Sequence, residues 1–271
     1  MLRFSVLMSV YFKDVPTHLK QALDSLVDQT SLPNEIVCVK DGLLSQDLNI
    51  ILTEFQKINS HKINIKIIDL PVNKGLANAL YVGLQYCNFD WIARMDSDDI
   101  SENRRFELMR EFIAQNPNVD VVGSQIIEFS DNSKKLFKRH VCLSHDDIVK
   151  DLKYRCPMNH VTVFIKKKSL IKSGLYKEVL LEDYDLWIRM YLCGFRFGNI
   201  NKYLVRVRAD IDLMSRRSGL NYFKGEYRIQ ILMKNKKIIS LSRFTINIIK
   251  RGFVRFLPNK LLKKLYLLTR K

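Results

Sequence analysis

The stretch Trp91-Ile92-Ala93-Arg94-Met95-Asp96-Ser97-Asp98-Asp99 runs from a short β-rich segment directly into three carboxylates within four positions. Alternate residues of an extended chain point the same way, so Asp96 and Asp98 are expected to face one site while Asp99 turns aside. Clustered carboxylates repel one another. A hard divalent cation, Mn²⁺ or Mg²⁺, relieves that repulsion and bridges to phosphate oxygens. From these residues alone, a solvated acidic turn followed by a helix cap at Ser101 stands as an equal reading.

Outward from this stretch the pattern repeats. Phe4–Tyr11, Glu35–Lys40 and Ile63–Ile68 read as further strands. Helical stripes follow at Leu19, Leu23, Leu26 and Val27, at Leu48–Ile58 after Ser45, and from Asn73-Lys74-Gly75 to about Cys87. Strand–helix repeats with short connections predict an α/β fold, a mostly parallel, doubly wound sheet covered by helices. Ligands of such sheets bind beyond the carboxyl ends of the strands, where Asp41 and the acidic cluster both lie. Further on, Val119–Phe129 and Val161–Ile165 read as strands, 134–151 as polar and irregular, and Glu182-Asp183 opens an amphipathic helix closed by Gly194.

Composition narrows the class. The 271 residues suffice for one full core, and no stretch is long and apolar enough to span a bilayer. The apolar N-terminal run is expected as a first strand rather than a signal peptide, and five widely spaced cysteines as free thiols, which together point to a cytoplasmic protein. Lys and Arg number 45 against 28 Asp and Glu, but residues 227–271 hold 13 of the cations and no acid. The body is therefore nearly balanced and the excess sits in a basic arm.

Set in order along the chain, several segments resemble the family 2 glycosyltransferases. They are Ser5–Tyr11, Leu23–Thr30, Glu35–Val37 through Asp41-Gly42, Asn73–Leu80, Asp96–Asp99 and Glu182-Asp183, and the likeness covers roughly residues 3–219. It is strongest to the branch that builds bacterial O-antigen and exopolysaccharide repeat units. The resemblance implies a GT-A (Rossmann-like) fold and an inverting, nucleotide-sugar-dependent enzyme, with a nucleotide-sugar-binding half over 1–115 and an acceptor-side half over 116–219. Asp98 with Asp96 matches the element that holds the metal and the sugar-nucleotide diphosphate. Ser9 and Asp41 match positions that contact the base and ribose. The family's usual Asp-Asp-Gly-Ser is Lys40-Asp41-Gly42-Leu43 here, and Asp41 taken alone reads as a turn residue before Gly42. Asp183 of the Glu182-Asp183 pair matches the catalytic base; without the resemblance the pair reads as acidic charge at a helix N-terminus.

The implied reaction is a single displacement. Asp183 takes the proton of an acceptor hydroxyl that attacks opposite the leaving diphosphate, inverting the anomeric centre. Lys74 and the Arg216-Arg217 pair are candidates for charge stabilisation of the diphosphate, although Arg216-Arg217 also reads as the start of the basic arm. His160 resembles an acceptor-side position, but taken alone reads first as a structural hydrogen-bonding histidine.

Residues 244–257 and 260–268, split by Pro258, pattern as two helices with bulky aliphatics opposite Lys and Arg. They predict a basic amphipathic extension over 220–271 that meets an anionic membrane surface, peripherally, at the inner face of the cytoplasmic membrane. The alternative is that one helix packs on the core. The partners expected are a nucleotide-sugar donor, UDP by family frequency, carrying glucose or galactose, and a lipid-diphosphate-linked sugar acceptor. Competing readings are a polyprenyl-monophosphate glycosyltransferase and a nucleic-acid-binding protein. The aliphatic-rich arm and the absence of a basic stripe on the body argue against nucleic acid.

Overall fold

The computed structural model describes residues 2–131, 133–209 and 219–256. Arg216, Arg217, Pro258 and the expected helix over 260–268 lie outside the described residues.

The first half folds as its local patterns require. Strands β1 (Phe4–Tyr11), β2 (Glu35–Asp41), β3 (Asn64–Asp69) and β4 (Trp91–Met95) alternate with helices α1 (Pro16–Val27), α2 (Gln46–Asn59) and α3 (Leu76–Tyr86). The Ser45 hydroxyl caps α2 by accepting from the Leu48 amide. These strands pair in parallel in the order β3-β2-β1-β4. Alternation along each strand feeds two cores. Val6, Met8, Ile36 and Cys38 meet α1 and α2 on one face, and Leu7, Val37 and Val39 meet α3 on the other.

The second half departs from local pattern. Ser101 does not cap a helix: Ile100–Ser101 forms a short strand, β5, and α4 (Arg105–Gln115) begins four residues later. The Ser101 amide donates to Ser25 Oγ, a tertiary bond that outweighs the capping preference. Beyond β6 (Val121–Ser130), the segment expected to be irregular contains β7 (Ser133–Arg139), which gains its ladder from β6, and α5 (His145–Leu152), capped by Ser144. A short 3₁₀ turn (His160–Thr162) leads through β8 (Phe164–Lys166) to α6 (Lys167–Lys172) and α7 (Glu182–Leu192).

Strand β9 (Phe197–Arg208) follows, pairing parallel with β6 and antiparallel with β5. Its polar run Asn199–Lys202, beside an irregular register, hides the strand period in the sequence. Strand β8 enters antiparallel between β4 and β6, so the described sheet is parallel on the β1–β4 side and mixed beyond it.

Helix α8 (Gly219–Asn235) carries Ile229 and Met233 into the core that holds Trp187. Helix α9 (Leu241–Arg255) packs beside α8 in an inverted sense. Its arginines turn inward: Arg251 and Arg255 both bind the buried Glu226, at 2.5 and 2.8 Å. Part of its apolar set turns outward, with Ile249 at 66% and Phe253 at 70% exposure, while Phe244 packs on the core.

One buried acid ties the parallel strands together. Glu35 accepts from Ser5 Oγ (2.7 Å), from the Asn88 amide and side chain (2.8 and 2.7 Å), and pairs with Lys66 (2.7 Å). Burial alone pushes this carboxyl up, but Lys66, Ser5 and Asn88 outweigh it and hold it below the usual range. A lowered native value contributes stability above the unfolded carboxylate range that is lost as pH falls through the native value. Glu35→Ala is expected to lower the unfolding free energy at pH 7 by about 3 kcal/mol, because Lys66, Ser5 and Asn88 lose their acceptor. Urea denaturation across pH 3–7 checks this, and the variant's stability should fall less steeply on acidification.

Candidate active site

At the end of β4 the chain turns with Arg94 buried beneath it, its guanidinium ion-paired to Asp96. Burial opposes that charge, yet Asp96 outweighs it and holds Arg94 above its ordinary value. Carboxylate oxygens of Asp96, Asp98 and Asp99 lie within 4.8 Å of one another. Asp99 does not turn aside as the alternation predicts but stays in the cluster, where its Oδ1 accepts the Arg208 amide at 2.8 Å, while Arg208 Nε donates to the Asp98 carbonyl at 3.1 Å. The β1–α1 loop adds Asp14, whose carboxylate accepts from Ser97 Oγ (2.7 Å) and the Tyr11 amide (3.0 Å). Burial pushes Asp14 up to about 6. Burial, then the charges of Asp96 and Asp14, does the same to Asp98, and Asp99 is raised well above the usual range.

Opposite stand Cys156–His160 and the N-terminus of α7. Leu181, left-handed at φ 64°, is the non-glycine residue that aims the first turn of α7 into the site. Burial, then Asp183, pushes Glu182 upward. Asp183 Oδ2 accepts from the Cys156 thiol at 3.3 Å, and its Oδ1 accepts the Tyr184 amide at 2.7 Å. His160 Nε2 meets the Tyr176 hydroxyl at 3.0 Å. Burial and the Arg94 charge hold its imidazole well below the ordinary value, so His160 is a neutral hydrogen-bonding group at pH 7.

A cavity of about 850 Å³ joins the two sides, and Arg94, Asp96, Asp98, Asp99, His160, Glu182 and Asp183 all line it. Ser9, Asp41 and Lys74 do not. Ser9 lies on β1 opposite Val39, and Lys74 is exposed. Asp41 is buried with both oxygens on backbone amides, Lys74 and Gly75, each at 2.9 Å. It therefore pins the loop that opens α3, nearer to the turn reading of this residue. Gly42 is required beside it: at φ +84° a Cβ would come within 2.6 Å of the Asn73 nitrogen. Sequence reasoning missed Asp14, Cys156 and Arg208, which reach the site only through tertiary folding. Arg94 had a signal: a lone cation inside the strand Trp91–Met95.

Residues 5–180 match the family described as Glycosyl transferase family 2. The chain belongs to that family. This glycosyltransferase is 41% identical over 98% of both chains to an uncharacterized glycosyltransferase of Haemophilus influenzae. It is 36% identical to the amylovoran biosynthesis glycosyltransferase AmsE of Erwinia amylovora, over 99% of each chain. To a UDP-Gal:alpha-D-GlcNAc-diphosphoundecaprenol beta-1,3-galactosyltransferase of Escherichia coli it is 37% identical, over 94% of this chain and 92% of the relative. Among solved structures, S. aureus TarS (residues 1–349) with UDP-GlcNAc superposes with a TM-score of 0.66 at 18% identity, covering 93% of this chain and 73% of that one. The likeness supports the GT-A-like α/β fold.

The crowding of acids has a measurable cost in this glycosyltransferase. A carboxyl raised in the native state destabilises the fold once pH exceeds its unfolded value. Asp98→Asn is expected to stabilise the metal-free protein at pH 8 by about 1 kcal/mol after solvent screening, or a Tm roughly 2–4 °C higher. The gain should fade as pH falls from about 6 and vanish below the unfolded value of 3.8, where the wild-type residue is protonated in both states. Differential scanning calorimetry of both proteins at four pH values checks the sign.

Proposed function

We propose that the protein is an inverting glycosyltransferase that moves a hexose, glucose or galactose, from a UDP-sugar to a lipid-linked acceptor such as GlcNAc-diphospho-undecaprenol. The product is a β-linkage in assembly of an O-antigen or exopolysaccharide repeat unit. The observation that carries this reading is the single cavity shared by the Asp96, Asp98, Asp99 cluster and the Glu182-Asp183 pair. The acceptor class is supported by the Escherichia coli and Erwinia amylovora relatives.

Close, partly buried carboxylates, among them Asp98 and Asp99 with pKa values pushed up by burial, are a donor set suited to a hard divalent cation. Asp96 and Asp98 would hold Mn²⁺ or Mg²⁺; the solved structure of a Pyrobaculum calidifontis mannosyltransferase, TM-score 0.59 at 13% identity, contains Mn²⁺ with GDP-Man. When bound, such a cation supplies neutralisation of the charge that develops on the leaving diphosphate.

The remaining work falls to side chains. Arg94 fixes Asp96 through their ion pair and offsets the repulsion among the acids around it. Asp183 accepts the proton of the acceptor hydroxyl as its oxygen attacks the anomeric carbon and the bond to the diphosphate breaks. Its neighbour Glu182 is pushed upward by burial, then by Asp183, and also feels Arg94 and Asp96. Neutral His160 holds the Tyr176 hydroxyl without adding charge. The Cys156 thiol directs Asp183 through its hydrogen bond.

Purified protein incubated with UDP-hexoses, Mn²⁺ and synthetic GlcNAc-diphospho-lipid should give a product one hexose heavier by mass spectrometry, with a β-linkage by NMR. Asp183→Asn should lower kcat by roughly 10²–10⁴ with a small change in donor KM. No transfer from any nucleotide sugar, or full activity in the variant, refutes the assignment. Transfer to a bare polyprenyl phosphate would instead identify the monophosphate-dependent class.

The outward apolar face of α9 supports peripheral contact with an anionic membrane. Among the described residues no helix is long and apolar enough to cross one. Because Ile249 and Phe253 are exposed, Ile249→Asp/Phe253→Asp should leave the melting curve unchanged and abolish flotation with phosphatidylglycerol-containing liposomes. Undiminished flotation would remove this face from the membrane contact.

A further inference from the structure

The cavity is electrically divided. One end carries the acids described above. The other is lined by five cations: Arg139 from β7, Arg155, and Lys250, Arg251 and Arg255 from α9. Two carboxylates answer them: Glu226 takes both Arg251 and Arg255, and Asp151 takes Arg155. Arg139 and Lys250 have no carboxylate partner among the described residues. With Glu128 and Glu226 also in its lining, this wall still carries more cations than carboxylates and faces a cavity open to solvent, which suits an anionic ligand.

The wall adjoins the acceptor side of the site. Arg139 acts electrostatically on Cys156, and Cys156 donates its hydrogen bond to Asp183. A sugar whose attacking hydroxyl meets Asp183 carries its anomeric substituent one ring away, towards these cations. Lys250 is exposed on α9, the helix whose neighbouring outer face is apolar, so a lipid tail attached to that anion would leave along a compatible surface.

We propose that Arg139, Arg155 and Lys250 form the subsite for the diphosphate of a lipid-linked sugar acceptor, separate from the donor diphosphate at the acidic end. This rests on the acceptor reading under Proposed function and adds the residues that select a diphosphate over an uncharged or singly phosphorylated acceptor. No bond forms or breaks at these residues; they bind and orient.

The test uses the full chain and isothermal titration with two probes, GlcNAc-diphosphate bearing a short alkyl chain and UDP with Mn²⁺. Arg139→Gln/Lys250→Gln should weaken the alkyl diphosphate by about tenfold or more and leave UDP binding within about twofold. The charge-keeping pair Arg139→Lys/Lys250→Arg should restore much of the loss, and the exposed single change Lys250→Glu should weaken binding without altering the melting curve. An uncharged GlcNAc alkyl glycoside should bind wild type and double variant alike. Unchanged alkyl-diphosphate affinity in both the double variant and Lys250→Glu overturns the proposal, as does a parallel loss of UDP affinity, which would give these cations to the donor. If wild type transfers no sugar but still binds the alkyl diphosphate through Arg139 and Lys250, the proposed reaction fails and the subsite stands.

Discussion

Arg94 is the constraint around which the site is organised. A guanidinium fully removed from water at a strand end requires a carboxylate partner, and Asp96 supplies it. Around that pair sit Asp98, Asp99, Asp14 and Glu182, more negative charge than one cation offsets, and burial first, then the neighbouring carboxylates, pushes these acids upward. Removing Arg94 would leave acids facing one another in a low-dielectric pocket, a loss that buried pairs generally register as several kcal/mol. The pocket is held together by the fold at the expense of local electrostatics, a pattern expected where function requires concentrated charge.

The architecture supplies that restraint from three directions. Arg105, fully buried on α4, donates to the carbonyls of Arg94 and Val161, fastening the β4 end to the segment that carries His160. Arg208, the last residue of β9, holds Asp99 and the Asp98 carbonyl. The α7 helix, anchored by the fully buried Trp187, presents Glu182 and Asp183 in its first turn. Each restraint links elements far apart in sequence, so the site exists only when both halves of the sheet have assembled.

This explains which parts were legible beforehand. The units β1 to β4 follow from local periodicity, because each strand alternates between two helix-covered faces. The acidic turn and the Glu182-Asp183 pair were visible as motifs, and the cavity brings them together. Strands β5, β7 and β9 were not visible: β5 is two residues long, β7 is mostly polar, and the polar run of β9 hides its period. Asp14 carried no signal, since nothing in its loop marks it as the partner of Ser97. Asp41 shows the opposite limit, where the side chain of a motif position is committed to the amides of Lys74 and Gly75.

The basic arm is where folding most changes the meaning of the composition. Counted along the chain, its cations form one undivided excess. In space α9 separates them by task. Arg251 and Arg255 are drawn inward by Glu226, the last acid before the arm, because a buried carboxylate without cations would be costlier than any exposed pairing. That inward pull rotates Leu241, Ile249, Phe253 and Phe256 to the outside, leaving an apolar stripe that no core contact covers among the described residues. One buried glutamate thus sets both faces of the helix: cations towards the cavity, and hydrocarbon towards whatever lies beyond the surface.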